Sequence, residues 1–488
     1  MQTPILGASY VARSINAADN RMVNMFPEAT TDGGKTAGFL NRTPGLEFLQ
    51  TVGTGPIRAL WAHQTNGADF YVVSGTEVYK LTSLTATPVK IGDVSGMGPV
   101  SIADNGAVLF FACNGPSYTY YEPTGEFNAI TDPNFVGAVT VGYLDTQFIF
   151  NEPNSQRLWS VDTVNPSSGE YIYPLVFDPL FFSSADGSPD GVVAINCDHR
   201  QLWVFGTDST EVWYNAGLAN FPLTPIQGAF NEIGCVAAFS VAKLDNTLFW
   251  LGTDARGQGI VYKANGYAGV RVSTHAIEYA IAQYGDLSNA LAYSYQQEGH
   301  AFYVLTFPSA NATWVYDVAT QAWHERAGFD NGEFMRHRSN CQCNFGGNTI
   351  VGDFQNANIY KFNLDIYADN GGIQKWLRSW RALPTGANNL KRTAQHSLQL
   401  DAETGVGLND GQGAAPEAML RWSDDGGHTW SNEHWKQMGA IGQFGYRTIW
   451  RRLGMTLKLR DRVYEVSGTD PVKISVMGAE LILSPTNA

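Results

Sequence analysis

Charge is scarce in this sequence. Only 16% of its 488 residues are Asp, Glu, Lys or Arg, where about a quarter is usual. The 31 basic side chains are outnumbered by 45 acidic ones, for a net charge of −14 at pH 7. Gripping nucleic acid takes a basic face, so a whole-chain nucleic-acid binder is excluded. Cysteine is scarcer still. Five thiols cannot build a disulfide framework, and an odd count leaves at least one free. Cys341 and Cys343 lie two apart, on one prospective strand face, and lack the paired spacing of a zinc site. Buried, inert thiols in a chain folded in a reducing cytosol are therefore expected. No stretch reaches the ~18 apolar residues of a membrane span. Residues 1–20 hold no charged-then-apolar-then-small pattern, so no signal peptide is expected.

What is abundant is aromatic and small. Hydrophobic residues make up 44% of the chain, with 13 Trp, 22 Tyr, 26 Phe and 51 Gly. Aromatics fit a pleated, half-buried surface and glycine fits tight turns, so the composition is that of an all-β protein. At roughly 150 residues per domain, the length allows two or three. One pattern recurs: a small or apolar alternating run, a turn, an aromatic run, then a short aromatic-aliphatic strand. It opens at 57–61, 100–103, 137–141, 191–195, 236–240, 289–293 and 337–341, at intervals of 37 to 54 residues. That is the spacing of a four-stranded antiparallel blade, and a radial array of blades hides its sheet edges. The expectation is a β-propeller over 51–365 of about seven blades. Six or eight also fit, because the fourth strands are poorly marked, and a run of hairpins in a large sandwich is the competing arrangement. Ile277, Ile281 and Tyr284 fall at helical spacing behind Ser273 or Thr274 as cap, which predicts one short helix between blades.

The two ends do not repeat. Residues 1–50 read as an extended lead-in punctuated by Gly and Pro. Residues 374–488 read as a second antiparallel β module, with a polar Gly-rich loop at 405–416. Charge divides with them: from Gln374 onward there are 14 basic and 11 acidic residues, a net +3, which leaves −17 on the rest.

Motifs that carry chemistry are weak. Gly33, Gly34, Lys35 and Thr36 match the end of a phosphate-binding loop, but Ala29 stands where its first glycine belongs and no helix pattern follows. Ser423, Asp425, Gly427, Thr429 and Trp430 are spaced S-x-D-x-G-x-T-W. This resembles the Asp-box of sialidases and other propeller enzymes, a structural hairpin away from the active site. Asp and Ser are natural turn acceptors and glycine supplies positive φ, so a structural hairpin with Trp430 packed beneath it is expected. Glycosidase chemistry needs two carboxylates about 5–9 Å apart, and the sequence nominates none. No His-Glu-x-x-His, Gly-x-Ser-x-Gly or metal-ligand cluster is present; His324, Glu325 and His434 read as structural.

The ends and the repeats together resemble a known family. The residues are Asn24 to Glu28 (Asn-Met-Phe-Pro-Glu), Gly34-Lys35, and Thr43 to Leu46 (Thr-Pro-Gly-Leu). The resemblance continues through 300–308, 313–317 and Trp323, then Arg447, 450–454 and Asp470-Pro471. These resemble the tail nozzle, or tail accessory hub, proteins of short-tailed bacteriophages, of the packaged-DNA stabilisation type. The resemblance implies a virion protein without catalysis or cofactor, made in the host bacterial cytoplasm. It implies a homo-hexameric ring beneath the portal and adaptor, beside tail fibre, spike or needle proteins, through which DNA transits without tight binding. Like-charged acidic bodies repel, so contacts between copies are expected from apolar surface and the mildly basic C-terminal module. Arg447, Arg451 and Arg452 are the interface candidates, with a solvated strand face as their alternative. The rival functions are a propeller glycan hydrolase and a glycan- or receptor-binding lectin. The first predicts an Arg cluster with a carboxylate pair at one propeller mouth. Arginine is instead scarce and scattered across the blades, as at Arg58, Arg157, Arg200, Arg256, Arg271 and Arg326. The lectin predicts exposed aromatics at repeated positions, whereas the aromatics here fall inside the strands.

Overall fold

Short apolar runs bounded by turn residues become fully buried strands: Phe70–Ser74 and Val108–Ala112 expose none of their five residues. The computed structural model describes residues 1–15, 17–30, 33–63, 69–255, 257–382, 391–457 and 461–486. Each buried run is the second strand of an antiparallel sheet. Four of the sheets, beginning at Ile57–Ala62, Ser101–Asp104, Val141–Leu144 and Val192–Asp198, have four strands each. In the fifth the inner strand is split, so that Gly234–Cys235 and Ala242–Leu244 both pair with Thr247–Asp254. The expected opening at 236–240 is corrected by this split: Ala238–Ser240 forms a 3-10 turn. Leu291–Gln297 and Ser339–Phe345 begin the sixth and seventh.

The inner strands touch in cyclic order, the seventh returning to Ile57–Ala62 of the first. Apolar clusters fill the gaps between neighbouring sheets, as where Phe110, Phe148, Phe150 and Trp159 pack between the second and third. The fold is a β-propeller with a second β body at its side. The short helix is His275–Ile281; the Thr274 side chain accepts from Ile277 N and caps it, while Ser273 Oγ accepts from Val261 N.

The lead-in read from residues 1–50 is corrected by the strands it forms. Gly45–Thr51 is the outer strand of the seventh sheet, paired antiparallel with Asn358–Asn363 from Gly45↔Asn363 to Thr51↔Asn358. The start of the chain therefore completes the last blade. Met25–Ala29 and Gly38–Arg42 pair with each other and join a sheet of the second body, ordered Met25–Ala29, Gly38–Arg42, Ser475–Pro485, Thr393–Ala402, Thr448–Arg451. The facing sheet runs Met22–Val23, Trp376–Ala382, Arg462–Gly468, Glu417–Ser423, His434–Gln437. Trp376, Trp380, Leu398, Leu420, Trp450, Tyr464 and Leu481 fill the space between them.

The two bodies share strands. Val23 bridges to Glu325 of the sixth propeller sheet and pairs on its other side with Leu377 of the sandwich. Asn24 sits at this joint at φ 53°. Its amide nitrogen donates to Ala327 O (2.8 Å) and Lys375 O (2.7 Å), and its oxygen accepts from Ala327 N (2.9 Å). The buried guanidinium of Arg378 gathers the carbonyls of Ile5, Ala8 and Asn20. The five cysteines are free. Burial pushes Cys113 and Cys235 up to about 11 and Cys197 and Cys341 up to about 12, which keeps the thiols protonated and unreactive.

Candidate interaction surfaces

The Ser423–Trp430 motif occupies the connection between Glu417–Ser423 and His434–Gln437. Asp425 Oδ1 accepts from Ser423 Oγ (2.6 Å) and Thr429 N (2.8 Å), Oδ2 accepts from Thr429 Oγ1 (2.6 Å), and Ser423 Oγ accepts from Gly427 N (2.8 Å). The hydrogen bond from Ser423, followed by those from Thr429, holds the Asp425 carboxyl below the usual carboxylate range. Trp430 is not packed beneath this turn as expected. Its ring is half-buried with the Arg421 guanidinium 4.7 Å from its centre, because the chain stays out of the sheet until His434. Gly427 is at φ +103°, and a Cβ there would lie 2.6 Å from Asp19 Oδ2. The motif thus meets the N-terminal segment. Gly427→Ala is expected to cost about 1–3 kcal/mol through the strained backbone conformation and to lower the melting temperature; an unchanged melt would show that the turn relaxes without loss around the added Cβ.

Arg447, Arg451 and Arg452 are all exposed, at or beside the edge strand Thr448–Arg451. Arg447 donates to Gln399 Oε1 (2.6 Å). Among the described residues, no carboxylate forms an ion pair with any of the three. Arg447 follows directly on a turn whose exposed apolar side chains sequence reading missed. Phe444 is 77% exposed, Ile441 56% and Trp435 53%, with Tyr446 and Leu408 beside them. The surface is built rather than frayed: Thr404 Oγ1 donates to Phe444 O (2.9 Å), Ala440 N to Gln443 Oε1 (3.0 Å), and Gly442 N to Gly405 O (3.0 Å). The available signal was aromatics set between glycines, in Ile441-Gly-Gln-Phe-Gly-Tyr446, where no strand alternation could bury them.

The propeller encloses a central channel of about 730 Å³ lined from all seven inner strands. The charged residues lining it are Arg58, Asp104 and Lys243, and each is engaged. Arg58 donates to the carbonyls of Gly75, Ser95 and Gly98; Lys243 pairs with Asp198 at 2.5 Å. Asp104 accepts from Trp61 Nε1 (2.7 Å) and faces His63 Nδ1 (2.9 Å), whose Nε2 faces Glu122 (2.9 Å). The hydrogen bond to Asp104, followed by that to Glu122, pushes His63 up to about 10, so a charged imidazolium clamps the first two blades. Its carboxylates stand 41 and 59 residues away in sequence, beyond any local pattern. Among the described residues, neither an Arg cluster nor a carboxylate pair lines the channel.

The remaining sequence candidates are dispersed. Lys35 pairs with Asp401, in a hairpin between two strands rather than ahead of a helix. Glu325 pairs with Arg21 (2.8 Å), and His434 stacks on Trp422 at 4.7 Å. Arg157 lies 5.0 Å from the Phe182 ring, Arg200 pairs with Asp145, Arg271 with Glu278, and Arg326 is wholly buried. Arg256 lies outside the described residues. Among the described residues, no group of three His, Cys, Asp or Glu is placed to hold a metal ion, and no helix is long and apolar enough to cross a membrane.

Fold and surfaces together define a propeller joined to a β-sandwich, with exposed apolar side chains on the sandwich rim. Family models described as the β-propeller and the β-sandwich of bacteriophage P22 Gp10 match residues 1–367 and 376–483 respectively. The chain belongs to this family, and it is a structural protein of a phage tail. A comparison with curated proteins finds no match. Solved structures with likeness include the computationally designed Ika8 protein, at 10% identity and TM-score 0.38 over 66% of this chain and 100% of that one. A chain of the mitotic checkpoint complex has 11% identity and TM-score 0.40 over 69% and 97%. The Pan2 WD40 domain of Neurospora crassa has 8% identity and TM-score 0.40 over 63% and 89%.

Proposed function

We propose that this tail protein assembles as a homo-hexameric ring, a nozzle that extends the channel of the portal and adaptor, retains packaged DNA and conducts it during ejection. In this reading the chain is made in the host bacterial cytoplasm, and its neighbours are the portal or adaptor and the tail fibre, spike or needle proteins. One observation carries it beyond family membership: the net −17 of the first 373 residues. Each Lys or Arg that pairs with a phosphate releases counterions and adds binding free energy, so a basic lumen would act as a brake. An acidic or neutral one lets a polyanion slide. The test is negative-stain imaging of the purified chain, alone and with an adaptor–portal ring, beside duplex-binding titrations. A six-fold annulus and weak DNA binding at every salt concentration are expected. A stable monomer that turns over carbohydrate, or tight duplex binding that weakens steeply with salt, would overturn the reading.

A further inference from the structure

Two exposed apolar surfaces of opposite charge stand on separate parts of the molecule, one on the sandwich and one on the third blade. The first is the sandwich rim around Phe444, Ile441 and Trp435. Strand order fixes its position: Met22–Val23 borders the sixth propeller sheet, and His434–Gln437 is the last strand on the far side of the same sheet. Residues 433–452, which carry most of the rim, hold Lys436, Arg447, Arg451 and Arg452 against Glu433, a net +3, and the loop of Leu408 beside them adds Asp410, leaving +2.

The second surface is the connection 163–181 between the third and fourth strands of the third blade. It is strapped down at alternate residues. Leu175 and Phe177 are buried, Phe177 N donates to Asp132 (3.1 Å), Asn134 donates to Phe177 O (3.0 Å), and Tyr173 stacks on Tyr121 at 4.6 Å. Val176, between Leu175 and Phe177, is 69% exposed, and Leu180 just beyond is 62% exposed. From 162 to 190 there are five acidic residues and no basic one. In the cyclic order of blades, the third lies three places from both the sixth and the seventh, the two blades whose sheets continue into the sandwich-side strands. The two surfaces therefore cannot meet within one chain.

We infer that the sandwich rim of one copy docks onto the blade-three strap of the next copy, head to tail. Apolar surface supplies the burial, the opposite charges supply register, and exposed apolar patches of this kind mark interaction sites. A contact between unlike surfaces is heterologous, so it repeats around a ring instead of closing as a two-fold dimer. The inference rests on the ring proposed above and assigns its two contacting faces.

Two full-length variants test it, Phe444→Glu on the rim and Leu180→Glu on the strap. Both side chains are exposed, and unchanged melting curves would show that folding is intact. By sedimentation velocity, the wild-type chain should form rings, and each variant alone should remain monomeric at ten times the concentration at which the wild type assembles. Mixed together, the variants should form one-to-one dimers and nothing larger, since the Leu180→Glu copy keeps its rim and the Phe444→Glu copy keeps its strap. If both variants form rings like the wild type, the assignment of faces falls while the ring stands, and the rim belongs to a different tail component. Monomeric variants that give no dimer on mixing also overturn it. A wild-type chain that stays monomeric at every concentration overturns the ring and this contact together.

Discussion

Replacing Arg42 with leucine is expected to let the sandwich unfold ahead of the propeller. The Arg42 guanidinium is enclosed and donates to the carbonyls of Asp470 (2.7 Å) and Val472 (2.9 Å) in the sandwich, and of Tyr367 (3.2 Å) and Gln374 (2.5 Å) in the chain joining the two bodies. Burial lowers it to about 10, which still leaves it charged at neutral pH. One planar fork therefore satisfies four carbonyls from two stretches of chain that no strand ladder pairs. Leucine would leave those acceptors buried without donors, at about 1–3 kcal/mol for each that water cannot reach, so a total loss of roughly 3–5 kcal/mol is expected. Lysine restores the charge but not the fork, and should recover only part of it. Differential scanning calorimetry of the wild type, Arg42→Lys and Arg42→Leu checks this. A single transition at an unchanged temperature in the leucine variant would show that the shared strands alone hold the joint.

The blades were readable in the sequence where burial is complete on both faces. The second strands, such as 202–205 and 301–305, are unbroken apolar runs, and their positions follow from composition alone. Outer strands are half-solvated: Glu126–Ala129 exposes three of its four residues, so no period marks it. The outer strand of the seventh blade is Gly45–Thr51, roughly three hundred residues before its partner, and a search for adjacent repeats passes over it. Buried arginines are equally silent. Arg42, Arg326 and Arg378 look like surface residues by type; Arg42 and Arg378 become interior ones because backbone carbonyls surround them, and Arg326 because it lies over the Tyr295 and Phe362 rings. On the candidate surface, Arg447, Arg451 and Arg452 were nominated from charge alone. The apolar rim beside them was hidden by the assumption that aromatics here belong to strands, which Phe444 and Tyr446 in their glycine-rich turn do not.

Acidification below pH 6.5 is expected to loosen the seam between the sixth and seventh blades. His324 and His337 are wholly buried there. Both ring nitrogens of His324 and Nε2 of His337 have no hydrogen-bond partner among the described residues. Burial, followed by the Arg326 guanidinium, holds both imidazoles well below 6.5, so they stay neutral in the folded chain and take up protons only on unfolding. Below pH 6.5 the unfolded state thus binds two protons that the folded state does not. Asp369 works the other way. Burial pushes it up to about 7, so between about pH 7 and 4 the folded state holds a proton there that the unfolded state lacks; Asp19, also raised by burial, acts in the same sense. His63 and His300, raised by their carboxylate partners, are protonated in both states below 6.5 and contribute no slope there, although they cost stability as pH rises above it. The net difference is about one proton, or about 1.4 kcal/mol per pH unit. Stability should therefore peak near pH 6.5 and fall by about 2 kcal/mol on going to pH 5. Asp369→Asn removes the main counterweight and should nearly double that fall, whereas His324→Phe should roughly abolish it. Urea titrations of the three chains at pH 5, 5.75 and 6.5 measure these slopes directly. Equal slopes in all three would mean that the seam does not carry the pH dependence.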